Sequence, residues 1–140
     1  GLSAVLCASI LAGGAPPGVD DRDAVLRRVA EFLQSRQETS VYAAYPTAMT
    51  LQYVAGDTLD VANCEGVPRF PRTQSRVAAA ADPVYVDSPL AGSGLLTAPP
   101  DTIGNALTRH GVQFRTTQIG FVRIYDRLVP VPRTPAAVCR

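Results

Sequence analysis

The stretch Thr39–Ala62, TSVYAAYPTAMTLQYVAGDTLDVA, decides how this chain folds. Thr39 to Tyr45 is β-branched and aromatic, the composition of a buried strand. Pro46 suits the first turn of a following helix, where its missing N–H goes unneeded. Ala48, Leu51, Gln52 and Ala55 then fall on about one face, and Gly56 stops the helix. Leu59 to Ala62 is a second short strand. Strand, helix, strand in that order is the signature of parallel strands joined through a helix.

The same alternation continues in both directions. Upstream, Asp20, Asp21 and Asp23 place carboxylates at a helix N-terminus, where free N–H groups and the positive dipole end favour them. Val25, Leu26, Val29, Phe32 and Leu33 follow at helical spacing, predicting an amphipathic helix over 21–36. Downstream, Asn63 to Thr73 contains Gly66, Pro68 and Pro71 and reads as a loop. Gln74 to Ala81 reads as a helix and Pro83 to Val86 as a third strand. Ser88 to Pro100 is a second loop. Asp101 or Thr102 then caps a helix carrying Ile103, Ala106, Leu107 and His110, with Gly111 as its stop. Val112 to Thr116 and Ile119 to Tyr125 alternate as strands. Leu128 to Val131 reads as an edge strand, because prolines at 130 and 132 cannot donate to a ladder. The tail from Arg133 is expected to fray. The predicted class is α/β: a mostly parallel sheet with helices on both faces, ending in an antiparallel hairpin.

Composition bounds the function. The chain has 140 residues, 46% hydrophobic and 18% charged, which suits one globular domain rather than a disordered segment. Its formal net charge of +1 argues against nucleic acid, whose binders carry a basic face. All 13 basic residues are arginine. Codon bias accounts for this first, and selection of arginine for bidentate anion contacts is the alternative. No cysteine pair has metal-ligand spacing and there is a single histidine, so neither a metal nor a cofactor is expected. Cys64 and Cys139 are the two cysteines of the globular part. They form either a bridge, which suits an oxidising compartment, or two unpaired thiols.

Gly1 to Gly14, GLSAVLCASILAGG, carries no charge and is shorter than the roughly 20 residues of a membrane span. It is the end of a transmembrane helix, the apolar part of a signal peptide, or a buried helix. Residues 15–19 act as a linker, because Ala15-Pro16-Pro17-Gly18 breaks any helix. The domain is then 20–132, with a tail over 133–140.

No catalytic template fits. Ala91-Gly92-Ser93-Gly94 has neither phosphate-loop spacing, and there is no nucleophile elbow. His110 sits at a helix C-terminus, where a cation meets the negative dipole end. Cys64 has no nearby base, and Asp57 and Asp60 flank a turn. The most suggestive feature is the loop Glu65 to Arg72, EGVPRFPR, where Arg69 and Arg72 surround Phe70. In open α/β sheets, ligands sit beyond the carboxyl ends of strands, so these three residues are the candidate ligand-binding set. The competing reading tucks Phe70 into the core and leaves the arginines in solvent.

The run VYAAYPTAMTLQYVAGD (41–57), then RFP (69–71), PVYV (83–86), L-x-x-H-G-V-x-F (107–114) and I-G-x-x-x-I-Y-D (119–126) resembles a known kind of domain. It is similar to the soluble C-terminal domain that follows the last membrane helix in some bacterial multi-span glycosyltransferases. Those enzymes are related to the protein mannosyltransferases and take sugar from a polyprenyl-phosphate donor. The resemblance covers about Asp20 to Val131. One departure is Pro46, where the pattern leads one to expect an aromatic such as Trp; any contact of that ring is not carried over. The resemblance implies a domain outside the cytoplasmic membrane, with Gly1 to Gly14 as the end of the last membrane helix. Catalytic carboxylates would lie upstream, so the fragment would hold no catalytic residue of its own. Its partners would be the membrane part of the same chain and, through it, a lipid-linked sugar donor or glycan acceptor.

Overall fold

A computed structural model describes residues 19–65, 70–89 and 100–139. The hydrophobic leader 1–14 lies outside the described residues. The elements are α1 (Val19–Ser35), β1 (Ser40–Ala43), α2 (Tyr45–Ala55), a 3₁₀ turn (Gly56–Thr58), β2 (Asp60–Asn63), α3 (Pro71–Ala78), β3 (Val84–Asp87), α4 (Thr102–Arg109), β4 (Gln113–Ile119), β5 (Val122–Val129) and α5 (Pro135–Cys139). The order of helices and strands is the predicted one, with the C-terminal helix added.

The sheet is mixed, not mostly parallel. Strand order is β2-β1-β3-β5-β4. β1 pairs parallel with β2 and β3, while β5 pairs antiparallel with β3 and β4. The cause lies in the hairpin. Gly120, at φ 58°, turns β4 back into β5, and β5 rather than β4 adds beside β3. Half the pairings are therefore antiparallel. β5 is an interior strand, so the edge strand expected at 128–131 is instead the end of β5, and Pro130 falls just past the ladder.

Helices cover both faces, as expected. On one side α1 and α2 bury Leu26, Val29, Leu33 and Leu51 against Val41, Val61, Val84, Val86 and Ile124. On the other, α3, α4 and α5 bury Val77, Leu107 and Val138 against Tyr42, Tyr85 and Tyr125. Leu26, Val29 and Leu33 are 0% exposed, and each such burial stabilises by roughly 1.5–3 kcal/mol. Between these layers β1 and β3 are shielded on both faces, which explains why they read as apolar runs without alternation.

Two local expectations change. α3 starts at Pro71, three residues before the predicted Gln74, because proline at the first turn needs no hydrogen bond. The tail does not fray from Arg133. α5 packs on α4's side with Val138 1% exposed, and Cys139 is disulfide-bonded to Cys64, Cα to Cα 6.1 Å. The two readings of the cysteine pair are thereby decided.

Asp101 caps α4 as expected, accepting from the Gly104 N–H at 3.0 Å. Its carboxylate leaves no room for a Cβ at residue 104, where one would lie 2.5 Å from the carboxylate oxygens. The same carboxylate accepts from the Tyr125 hydroxyl at 2.6 Å, and Tyr125 is fully buried. Asp101→Ala removes a cap and leaves a buried hydroxyl without its acceptor. The expected loss is about 2 kcal/mol in urea unfolding. A loss of only a few tenths would mean that water replaces the carboxylate.

Candidate functional site

The loop after β2 leaves the carboxyl end of its strand, as the sequence reading requires. Phe70 does not tuck into the core: its ring is 55% exposed. Arg72 stands exposed in the first turn of α3. Arg69 lies outside the described residues. The polar groups around Phe70 are committed to the backbone. Gln74 accepts from the Asn63 N–H and donates to the Asn63 carbonyl. Gln52 accepts from the Val61 N–H and donates to the Gly56 and Leu59 carbonyls. Glu65, from the same loop, accepts from the Tyr45 N–H at 2.8 Å and so satisfies a donor at the start of α2. Asp60, expected at a turn, takes a two-pronged bond from Arg76. That hydrogen bond, against a smaller burial penalty, holds the Asp60 carboxyl below its usual range. Beside the exposed Arg72, this edge offers Phe70 and, around the same recess, Met49 of α2, 41% exposed; Tyr53 stands 82% exposed one turn further along α2.

A second constellation lies at the opposite edge, before β1 and β3. Glu38, Arg115 and Asp126 are far apart in sequence and meet here. Arg115 on β4 grips Asp126 on β5 through Nε and an NH2 nitrogen. The Asp126 side chain is 2% exposed and that of Arg115 34%. The Glu38 carboxyl hydrogen-bonds Asp126. Burial first, then that bond and the negative charge of Asp126, push Glu38 from about 4.5 up to about 7, with Arg115 and Arg36 opposing. Burial works to raise Asp126 too, but hydrogen bonds from Arg115 and Glu38 outweigh it and hold Asp126 below its usual value. The two carboxyls are thus pushed apart: of the pair, Glu38 is the one that holds a proton more readily.

Two unusual turns build this place. Gln37 N–H bonds the Gln34 carbonyl and Glu38 N–H bonds the Leu33 carbonyl, the Schellman pattern that ends α1. The residue that usually takes its left-handed position is glycine; here it is Gln37, φ 58°. On the hairpin, Arg115 faces Asp126 while Gln113 faces Val129, so β5 carries one residue more than β4. The bulge holds Arg127 at φ 56°. For a non-glycine residue that conformation costs roughly 1–2 kcal/mol. Among the described residues, Gln37 and Arg127 are the non-glycine positions with positive φ, and both line one open cleft of about 510 Å³. Strain of this kind gathers at functional sites. Arg36, Ser40, Asp82 and the Glu38–Asp126–Arg115 group complete its walls.

The sequence held one clue to this cleft: Asp126 interrupts an apolar alternation, Val122 to Leu128, at an inward position. Its partners could not be read, since their meeting depends on strand order.

The carboxyl pair makes stability depend on pH. Glu38 keeps its proton in the folded state until about pH 7 but loses it near 4.5 when unfolded. The folded state thus binds more protons in that window, and stability falls as pH rises through it. Glu38→Gln, which keeps a donor to Asp126, is expected to flatten this slope. The difference is on the order of 1 kcal/mol after solvent screening, read from urea midpoints across the window. A parent slope that survives in Glu38→Gln would assign it elsewhere.

A third polar group lies under α4. Burial raises Asp87 to about 6, with Arg123 opposing and Asp101 adding, and among the described residues the Tyr85 hydroxyl and Asp87 Oδ2 meet no hydrogen-bond partner. Among the described residues no group of three or more His, Cys, Asp or Glu is arranged to hold a metal ion.

Fold and cleft together define a small α/β domain with an exposed apolar edge at one end of its sheet and a charged cleft at the other. Compared with protein-family models, curated proteins and solved structures, the chain matches none of them.

Proposed function

We propose that the chain is a non-catalytic domain, on the extracytoplasmic side of the cell membrane, of a bacterial integral-membrane glycosyltransferase that uses a lipid-linked sugar donor. The observation that carries this reading is the Cys64–Cys139 bridge, since disulfides persist in oxidising compartments and are rare in the cytosol. The motif resemblance supplies the enzyme class. The exposed edge of Met49, Tyr53 and Phe70 supports a contact role, because such apolar groups gather at docking surfaces. Its partner would be the membrane part of the same chain or a glycan acceptor. No helix among the described residues is long and apolar enough to cross a membrane, so the membrane part would be supplied by other segments.

The test uses the full reading frame in bacterial cells, with Cys7 replaced by serine. A membrane-impermeant maleimide added to intact cells should label Cys64 and Cys139 only after external reductant. Labelling only after lysis, or without reductant, would sink the proposal.

A stand-alone binding module for a small anionic or sugar ligand is the second reading. It is favoured by Phe70 and Arg72 both standing in solvent. It requires ligand binding by the isolated domain that is lost in Arg69→Ala or Arg72→Ala.

A further inference from the structure

We infer that the cleft between the α1–β1 turn and the β4–β5 hairpin binds a small oxyanion, a phosphate or carboxylate group, between the guanidinium groups of Arg36 and Arg127. This is a different place from the Phe70 edge, and the inference does not depend on the membrane reading.

The charges lining the cleft point to an anion. Arg115 is consumed by Asp126. Asp82 contributes one negative charge, against the two positive charges of Arg36 and Arg127. Below about pH 7, where Glu38 holds a proton, the remaining balance is positive, and above it the three arginines and three carboxylates of the lining cancel. The Arg36 guanidinium sits over the Phe32 ring, 4.9 Å from its centroid. A guanidinium held against a ring loses less freedom on binding, and its fork suits carboxylate and phosphate. Ser40 also lines the cleft, at the start of β1.

Arg127 supplies the second argument. Its left-handed backbone is one that glycine adopts freely, yet the residue there is the one that brings a cation to the cleft. A side chain kept at a strained position, on the wall of the same cavity as the second strained turn, is what a binding role explains and packing does not: Arg127 is exposed.

Glu38 makes binding pH-dependent. The groups facing it are Asp126 from β5, Arg115 from β4 and Arg36 from the turn after α1, with Asp82 and Arg127 on the same cleft. Protonated, Glu38 adds no charge. Ionised, it places a second negative charge beside Asp126 and repels the ligand.

The experiment is titration calorimetry of the full chain with sulfate and with acetate, and chloride as the control. Neither oxyanion titrates appreciably near the Glu38 pKa of about 7, so measurements about one unit below and one unit above it report the protein's proton alone. The expected result is saturable binding of sulfate, acetate or both, with Kd on the order of 1 mM, several-fold tighter on the acid side. The tetrahedral or planar preference tells phosphate-bearing from carboxylate-bearing ligands. Arg127→Gly should fold with an equal or higher Tm and bind at least tenfold more weakly. Arg36→Gln should weaken binding likewise, and Glu38→Gln should bind equally at both pH values. Three results each overturn the inference: no saturation beyond chloride, full affinity in Arg127→Gly, or equal parental binding on both sides of pH 7.

Discussion

Reduction of the Cys64–Cys139 bridge is expected to lower the stability of the domain by about 4 kcal/mol and its Tm by roughly 15 °C. The bridge spans 75 positions of sequence, and closing so long a loop removes much conformational freedom from the unfolded chain. It also ties the five-residue α5 to the end of β2. A helix that short does not hold itself together in water. Without the bond, α5 relies on Val138 alone for buried apolar anchorage. Thermal unfolding with and without dithiothreitol, checked by Cys64→Ala/Cys139→Ala, measures the effect. A shift below about 1 kcal/mol would mean that the unfolded chain keeps its ends close without the bond.

Arg115→Ala is expected to destabilise the domain near neutral pH, read as a lower urea midpoint. The substitution leaves the Asp126 carboxylate, 2% exposed in its side chain, without the fork that offsets its burial. The sign with pH follows. Arg115 is among the groups that hold the folded Asp126 pKa below its unfolded value. Its contribution is therefore present above that unfolded value and lost as pH falls through the folded one. Once Arg115 is gone, Asp126 takes up a proton on acidification, so the defect of the variant should shrink toward about pH 4. Arg115→Leu/Asp126→Leu should recover most of the stability, because an apolar pair leaves no buried charge. A defect in Arg115→Ala that is constant with pH would show that packing of the arginine stem, not its charge, carries the loss.

What the sequence by itself determined is local. The stripe of Val25, Leu26, Val29 and Leu33 made α1, because those positions share one face at 3.6 residues per turn. Pro46 and Gly56 bounded α2, and Asp101 and Gly111 bounded α4, through backbone dihedrals and caps that act within a few residues. The alternation of strands with helices set the α/β class. Where the reading slipped, a nearby alternative competed: Pro71 started α3 earlier than its alanines implied, and Pro130 made the end of an interior strand look like an edge.

What only the tertiary structure decided is which elements lie side by side. Nothing local specifies that β5 rather than β4 adds to β3, since both alternate well enough to pair. That choice made half the pairings antiparallel rather than the hairpin's alone, and brought Asp126 within reach of Glu38. The end of α1 was legible to within a residue, but the left-handed turn after it was hidden because Gln37 takes the position that glycine signals. The bulge at Arg127 was masked for the same reason. Cys64 meets Cys139 only because α5 folds back onto the second face of the sheet. Helix and strand propensities act over one or two turns of chain, whereas the cleft and the bridge arise from burial shared by segments far apart in sequence, and burial is decided only when the layers close.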